Sequence, residues 1–143
     1  MSRAPAGPVL PPLLTAAGGS FFIPEERNVG QLSREKGKRG EREVAVRWSE
    51  LFGVPMRRSQ QYCGAGEDAD DIVGHPGVSI EVKRRERFNL EAAIEKAAAD
   101  ATDGDIPLVL HRRNHHPWLV TLPLDDLPEL AVRLFHTLAN KSL

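Results

Sequence analysis

The stretch that decides the fold is DDIVGHPGVSIEVK, residues 70–83. Two acids lead into the short apolar run Ile72-Val73, and His75-Pro76-Gly77 supplies residues that favour a turn. Residues 78–83 then alternate between apolar and polar side chains, which is the pattern of a half-buried β-strand. The stretch therefore predicts two consecutive strands, the first opened by an acid and the second carrying an acid and a lysine.

A helical pattern precedes this stretch. Large apolar side chains recur at helical spacing at Val44, Trp48, Leu51 and Phe52. Residues 39–52 are therefore predicted to form a helix that ends at Gly53. Glu41 shares the apolar face of this helix, where a lone carboxylate is costly unless it is paired or binds a metal. Pairing with a neighbouring arginine, or partial exposure in the first turn, would also satisfy Glu41.

The rest of the chain continues the alternation of strands and helices. Asn89 is a suitable N-cap for a helix over residues 90–102. The remaining predictions are strands at 56–60, 106–111 and 118–122 and a last helix at 125–139. The expected fold class is α/β, with a mixed central sheet of about five strands flanked by helices.

The first 30 residues differ from the rest in composition. They contain five prolines and the sequence Gly18-Gly19-Ser20, which predict a flexible N-terminal arm over residues 1–30 and one folded domain over 31–143. Phe21-Phe22-Ile23 is expected to dock on the domain or on a second subunit. A single cysteine, Cys63, and the lack of an apolar run of about 20 residues favour a cytoplasmic protein.

The formal net charge is −1, but the charges are segregated along the chain. Acids gather at residues 67–71, 91–105 and 125–129. Basic residues gather in four groups: Lys36, Lys38, Arg39 and Arg42; Arg57 and Arg58; Lys83, Arg84, Arg85 and Arg87; Arg112 and Arg113. Phosphate binding depends on such local placement rather than on the sum of charges, so a nucleic-acid partner is not excluded.

The acids of the two predicted strands indicate a metal site only when they are considered together. Glu81 and Lys83 emerge on the same face of the predicted strand because side chains alternate along it. Taken alone, this pair would be an internal ion pair, and Asp70-Asp71 would be an acidic turn. Together, they place Asp71 and Glu81 within metal-bridging reach, and Glu41 can complete a pocket for a hard cation such as Mg²⁺. A neighbouring lysine can then orient a water molecule and stabilise the transition state of phosphodiester hydrolysis.

Four segments resemble the PD-(D/E)XK nuclease superfamily, which has a restriction-endonuclease-like core, and within it the archaeal-type Holliday junction resolvases that also occur in phages. They are KGKRGERE at residues 36–43, Arg57-Arg58-Ser59, Asp70-Asp71-Ile72-Val73 and Ile80-Glu81-Val82-Lys83-Arg84. The likeness spans residues 36 to about 127. The first segment is the most specific to the resolvases, whereas the pattern of an acid followed by Glu-x-Lys is shared by the superfamily.

The resemblance implies a structure-selective endonuclease that resolves four-way DNA junctions in recombination and repair, with Mg²⁺ as cofactor and Mn²⁺ as a substitute. It implies metal ligands at Glu41, Asp71, Glu81 and the backbone carbonyl of Val82, with Lys83 as the catalytic lysine and Ser59 as an assisting loop serine. Asp70 stands where the family has proline, so Asp70 and Asp71 compete for the ligand position, and the family spacing favours Asp71. A junction has two symmetric cleavage points, which favours a homodimer.

The basic groups are expected to contact the DNA backbone, helped by the amide end of the first helix. The residues expected to bind DNA are Lys36, Lys38, Arg39, Arg42, Arg57, Arg58, Arg84, Arg85 and Arg87. Each of them would otherwise be solvated surface charge. His111, His115 and His116 would form a zinc site, or would belong to a polar hairpin tip that either contacts DNA or is simply solvated, and no cysteine accompanies them.

The sequence leaves three points open. The same scaffold would serve another PD-(D/E)XK nuclease, such as a repair or restriction-like endonuclease or an exonuclease. A DNA-binding module without catalysis would arise if the acids only pair with Lys83 and nearby arginines. The leucines of the last helix, Leu127, Leu130, Leu134 and Leu138, would either form a dimer interface or cover the protein's own sheet.

Overall fold

The computed structural model describes residues 25–59 and 70–142, with side chains from residue 29 onward. The elements of this part follow in the order α1 (Glu25–Phe52), β1 (Arg57–Arg58), β2 (Ile72–Val73), β3 (Val78–Arg84), α2 (Leu90–Asp100), β4 (Ile106–Arg112), β5 (Leu119–Thr121), a 3-10 turn (Leu124–Asp126) and α3 (Leu127–Lys141). Residues 1–24, Phe21-Phe22-Ile23 and Cys63 lie outside the described part of the chain, as does the loop at 60–69.

The five strands form one mixed sheet in the order β1-β2-β3-β4-β5. Strands β3 and β4 are parallel, and the other neighbours are antiparallel. Helix α2 makes the crossover that a parallel pair requires. The predicted α/β class and five-stranded mixed sheet are therefore confirmed.

Alternation along β3 divides the molecule into two layers. Ile80 and Val82 pack in the main core with Val44 and Trp48 of α1, and α3 adds Leu130 to this core. The opposite face of the sheet is covered by Ala93 and Ala97 of α2, which pack on Val109. The polar side chains of β3 therefore lie on the α2 side, between the sheet and the helix.

Two helix ends confirm the sequence analysis. Gly53 takes a positive φ of 70° and its amide donates to the Ser49 carbonyl at 2.8 Å, which closes α1. The Asn89 side chain accepts from the Ala92 amide at 2.9 Å, which is the expected N-cap of α2.

Several element boundaries were predicted wrongly. Helix α1 begins at Glu25 rather than at residue 39, because the prediction relied on an apolar stripe that the first half of the helix lacks. Leu51 was placed on the buried stripe but is 48% exposed, and Ala45 is buried instead. Helix α2 ends at Asp100, before the predicted residue 102. The short strands β1 and β5 are also narrower than the predicted ranges 56–60 and 118–122.

Part of the apolar face of the last helix packs against the protein's own core. Leu130 is buried and Leu134 packs against the main core, whereas Leu127 and Leu138 are 46% and 41% exposed. Within residues 25–59 and 70–142, no helix has the length and apolar content needed to cross a bilayer.

Candidate active site

A cavity of about 520 Å³ brings together residues of α1, β3 and α2 with Asp71, which directly precedes β2. Its lining includes the carboxylates of Glu41, Asp71 and Glu81 and the ammonium groups of Lys83 and Lys96. Because its lining contains residues for which the sequence analysis predicts catalysis, we call it the catalytic cavity. Four of these five residues were named by the sequence analysis, and the structure places them around one space.

Asp71 is fixed at the start of β2 by the backbone of β3. Its Oδ2 accepts from the Val82 amide at 2.7 Å, and its own amide donates to the Ile80 carbonyl at 3.1 Å. Burial raises the pKa of Asp71 to about 6, and the negative charges of Glu81 and Glu41 contribute to the rise. The carboxyl group of Asp71 is thus oriented by the backbone of β3 and poorly solvated.

Asp70 is directed elsewhere. Its carboxylate accepts a hydrogen bond from the Ser79 hydroxyl, and burial raises its pKa. It does not line the catalytic cavity. Of the two acids that competed for the ligand position, the structure therefore places Asp71 with Glu41 and Glu81.

Glu81 is 2% exposed and lies between two lysines. Its Oε1 accepts from Lys83 and its Oε2 accepts from Lys96. Burial by itself would raise the pKa of Glu81, but the hydrogen bonds from Lys83 and Lys96 and their charges lower it overall. Glu81 therefore stays ionised although it is buried.

Lys96 was missed by the sequence analysis. It lies on α2, is 46% exposed and also pairs with Asp100 one turn further on at 3.1 Å. This i, i+4 pair was the only signal in the sequence, and it is typical of an ordinary surface helix. Its approach to Glu81 depends on how α2 packs on the sheet, which the sequence pattern does not give.

Glu41 projects from α1 into the cavity and pairs with Arg58 of β1. The pairing that was left open for this carboxylate is therefore present together with its place in the cavity. Arg58, expected to contact DNA, serves Glu41 in this structure.

Ser59 is 2% exposed and does not line the catalytic cavity. Its amide donates to the Asp71 carbonyl at 2.9 Å, which ties the end of β1 to the start of β2. Val82 does line the cavity, and its side chain packs in the main core.

The donor set fits a hard divalent cation. Carboxylate oxygens are the ligands that Mg²⁺ prefers. A cation between Asp71 and Glu81 would offset the repulsion from Glu81, which adds to the effect of burial on the pKa of Asp71. Among the described residues, no three acid, histidine or cysteine side chains stand close enough to hold a metal ion as they are placed. In this arrangement Arg58 pairs with Oε2 of Glu41, and Lys83 and Lys96 pair with the two carboxylate oxygens of Glu81.

The residues expected to bind DNA fall into two sets. Lys36, Arg84 and Arg85 line the catalytic cavity. Arg39 and Arg42 are exposed and line a shallow depression on another face of α1. Lys38 is half-buried, whereas Arg57 and Arg87 are exposed. The helix therefore spreads its basic residues around its circumference rather than directing all of them to the cavity.

Glu43 holds α1 against the end of the parallel strands. Its carboxylate accepts from Arg112 and from the Trp118 indole at 3.0 Å, and pairs with Arg84 at 3.7 Å. Gly40 permits this approach, since a Cβ at that position would lie 2.9 Å from the Arg84 Cβ. This network positions the strand that carries Glu81 and Lys83, and the sequence analysis did not assign it.

The histidines do not gather around one point. His111 Nε2 and the Thr121 hydroxyl are hydrogen-bonded at 2.9 Å, and the His111 ring meets the edge of Phe88. His115 and His116 are exposed at the tip between β4 and β5. Within the described part of the chain, these residues give no support to a zinc site.

Comparison with known protein families matches residues 32–142 to the family described as "Phage putative PDDEXK endonuclease". The match covers more than half of the chain and includes each of the residues that bring a charged group into the catalytic cavity. No curated protein and no solved structure matches the chain significantly.

Proposed function

Because the chain belongs to this PDDEXK endonuclease family, we propose that it is a Mg²⁺-dependent endodeoxyribonuclease that resolves four-way DNA junctions. The observation that carries the nuclease activity is the shared cavity of Glu41, Asp71, Glu81 and Lys83. The finer assignment to junctions is supported by the KGKRGERE segment, which resembles the resolvases and contributes Glu41.

Glu41, Asp71 and Glu81 would hold the cation, together with the carbonyl of Val82. The bound ion would neutralise charge on the scissile phosphate and lower the pKa of the attacking water. The Val82 amide donates to Oδ2 of Asp71, so this carboxylate is already oriented in the absence of a ligand. Such pre-organisation limits the reorganisation needed during reaction.

Lys83 would act on the reacting phosphate and water. Its ammonium is held by Glu81 on the same face of β3, which keeps the lysine beside the cation site. A fixed positive charge at this position stabilises the negative charge that develops on the phosphate oxygens in the transition state. Ser59 is proposed as an assisting residue only through its connection to the Asp71 backbone.

The DNA would enter over Lys36 and Arg85, which line the same cavity. Contacts of this kind bind phosphates without reading base sequence, as an enzyme selective for junction shape requires. The other residues proposed to contact DNA are Lys38, Arg39, Arg42, Arg57, Arg58, Arg84 and Arg87.

Paired cleavage of a junction requires two catalytic cavities, so we propose a homodimer with twofold symmetry. Exposed apolar side chains of α3, including Leu127, Phe135 and Leu138, are available for such an interface. A protein that sediments as a monomer and still resolves junctions by paired cuts would contradict the dimer.

The test is cleavage of a mobile four-way junction compared with linear duplex and flap DNA, each with Mg²⁺, with Mn²⁺ and with EDTA. Symmetric metal-dependent cuts in the junction support the proposal. Preference for duplex ends or for linear DNA would favour another nuclease of the superfamily. Junction binding that is unaffected by the metal ion, without cleavage under any of these conditions, would favour a DNA-binding module without catalysis.

A further inference from the structure

A second cavity, of about 490 Å³, adjoins the catalytic cavity, and Glu86 lines both. We call it the tip cavity because the connection between β4 and β5 forms part of it. The lining consists mainly of basic and aromatic side chains: Arg87, Phe88, His111, Arg112, Arg113 and His116. The proposed nuclease function assigns a DNA contact to Arg87 but no role to the other side chains of this cavity.

The topology explains why these side chains meet. Strands β3 and β4 are parallel, with Lys83 beside His111 and Arg84 beside Arg112. Their carboxyl ends therefore emerge at the same edge of the sheet, and the segments that follow them lie next to each other. The Asn114 amide donates to the Glu86 carboxylate at 2.8 Å, which joins the β4–β5 tip to the segment after β3.

Some charged groups of the tip cavity have partners within the protein, whereas others do not pair with an acid of the described residues. Arg112 is bound to Glu43, and Glu86 accepts from Asn114. Arg87 and Arg113 are exposed, and neither pairs with an acid of the described residues. The cavity therefore presents two guanidinium groups and the His116 imidazole beside a single carboxylate, Glu86, one oxygen of which accepts from the Asn114 backbone amide.

Two further features distinguish this cavity from an ordinary charged surface. The Phe88 and His111 rings meet in a T-shaped arrangement at a centroid distance of 5.4 Å, so two aromatic rings form part of the cavity lining. His115 adopts a backbone φ of 60°, which residues other than glycine rarely take. The tip between β4 and β5 therefore forms a specific turn. Basic groups beside an aromatic face are a common arrangement for binding a nucleic-acid backbone and a neighbouring base.

We propose that the tip cavity binds a DNA phosphate that flanks the one cleaved in the catalytic cavity, through Arg87 and Arg113, with the adjoining nucleotide against Phe88. The inference rests on the proposed nuclease function and adds a second point of attachment for the same strand. Two attachment points fix the direction in which the strand crosses the catalytic cavity. A single cluster of basic residues would not do so.

The test compares the double variant Arg87→Gln/Arg113→Gln with a control, Arg47→Gln, in proteins that also carry Glu81→Gln to prevent cleavage. Arg47 is exposed, pairs with Glu50 and lines neither cavity. Fluorescence anisotropy with a labelled four-way junction and with a short duplex, over a range of salt, gives affinity and its salt dependence. The double variant should bind roughly tenfold more weakly, with the slope of log K against log salt reduced by about 1 to 2.

The outcomes separate this inference from the proposed function. If the protein without these substitutions cuts DNA but the double variant binds with the affinity and salt slope of the Arg47→Gln control, the tip cavity is not a phosphate site and the nuclease assignment stands. If the unsubstituted protein neither cuts nor binds DNA, both fall. Loss of binding together with a lower melting temperature than the control would place the two arginines in the fold, against the inference.

Discussion

The ammonium of Lys96 donates to Oε2 of Glu81, so that a cation carried by α2 lies against the most buried carboxylate of the catalytic cavity. Lys96 is also paired with Asp100 and its side chain remains 46% exposed. Its ammonium therefore has another partner if it leaves Glu81. A divalent ion bound to Glu81 would compete with this ammonium for the same oxygen. If Glu81 binds a metal ion as proposed, Lys96 would therefore oppose its binding.

Replacing Lys96 with methionine should therefore strengthen divalent-ion binding. The substitution removes the competing charge and keeps an aliphatic side chain of similar length. We expect Mg²⁺ or Mn²⁺ to bind several-fold more tightly in the absence of DNA, as measured by isothermal titration calorimetry. Lys38→Met, outside the cavity, is the control and should leave the affinity unchanged. Equal or weaker metal binding by Lys96→Met would show that Lys96 does not compete.

The pKa of Asp71 predicts a dependence of stability on pH. Because burial raises this pKa from 3.8 to about 6, the ionised form is disfavoured in the folded metal-free protein. The stabilising contribution of the protonated form is complete below the unfolded pKa and is lost as the pH rises through about 6. Asp71→Asn keeps an acceptor for the Val82 amide and carries no charge, so it should stabilise the metal-free protein at neutral pH by roughly 1–3 kcal/mol.

Urea unfolding in EDTA at about pH 5 and about pH 7.5 checks this expectation, since the gain from Asp71→Asn should be larger at the higher pH. Asp125→Asn, at an exposed position, controls for the loss of one negative charge. A gain that is equal at both pH values, or a loss at neutral pH, would mean that the burial of Asp71 is not what limits stability.

Glu81→Gln should abolish cleavage while junction binding persists. The carboxylate is proposed as a metal ligand and as the partner of Lys83, but its loss removes negative charge and does not weaken attraction for phosphate. Cleavage should fall on the order of 100-fold or more, as for loss of a charge-stabilising group in other active sites. Single-turnover cleavage and anisotropy measure the two effects, with Glu91→Gln on the exposed face of α2 as control. Normal cleavage by Glu81→Gln would remove this residue from the mechanism.

Much of this site follows from local rules. Strand alternation places Glu81 and Lys83 on one face, and the Pro76-Gly77 turn returns the chain so that Asp71 lies beside them. Such periodic patterns depend on neighbours in the sequence, which is why they can be predicted. The same holds for the N-cap at Asn89 and the helix end at Gly53.

What could not be predicted depends on packing between distant segments. Lys96 reaches Glu81 because α2 packs on the sheet, and Arg58 of β1 reaches Glu41 because β1 lies beside α1. Nothing in the spacing of these residues specifies either contact. The early start of α1 was missed for a related reason, since Val29 and Leu32 are exposed and leave no buried stripe to detect.

The contact between Gly40 and Arg84 gives a final prediction. A Cβ at position 40 would lie 2.9 Å from the Arg84 Cβ, so Gly40→Ala must push α1 away from β3 or shift that strand. We expect a loss of roughly 1–3 kcal/mol in unfolding free energy, as for overpacking of a close contact. Gly37→Ala is the matched control on the same helix, because nothing lies within 4 Å of the added Cβ. There the better helix propensity of alanine should stabilise the protein by up to about 1 kcal/mol. Urea unfolding of both variants decides the matter, and equal stabilisation by the two substitutions would show that α1 does not approach β3 as closely as this contact requires.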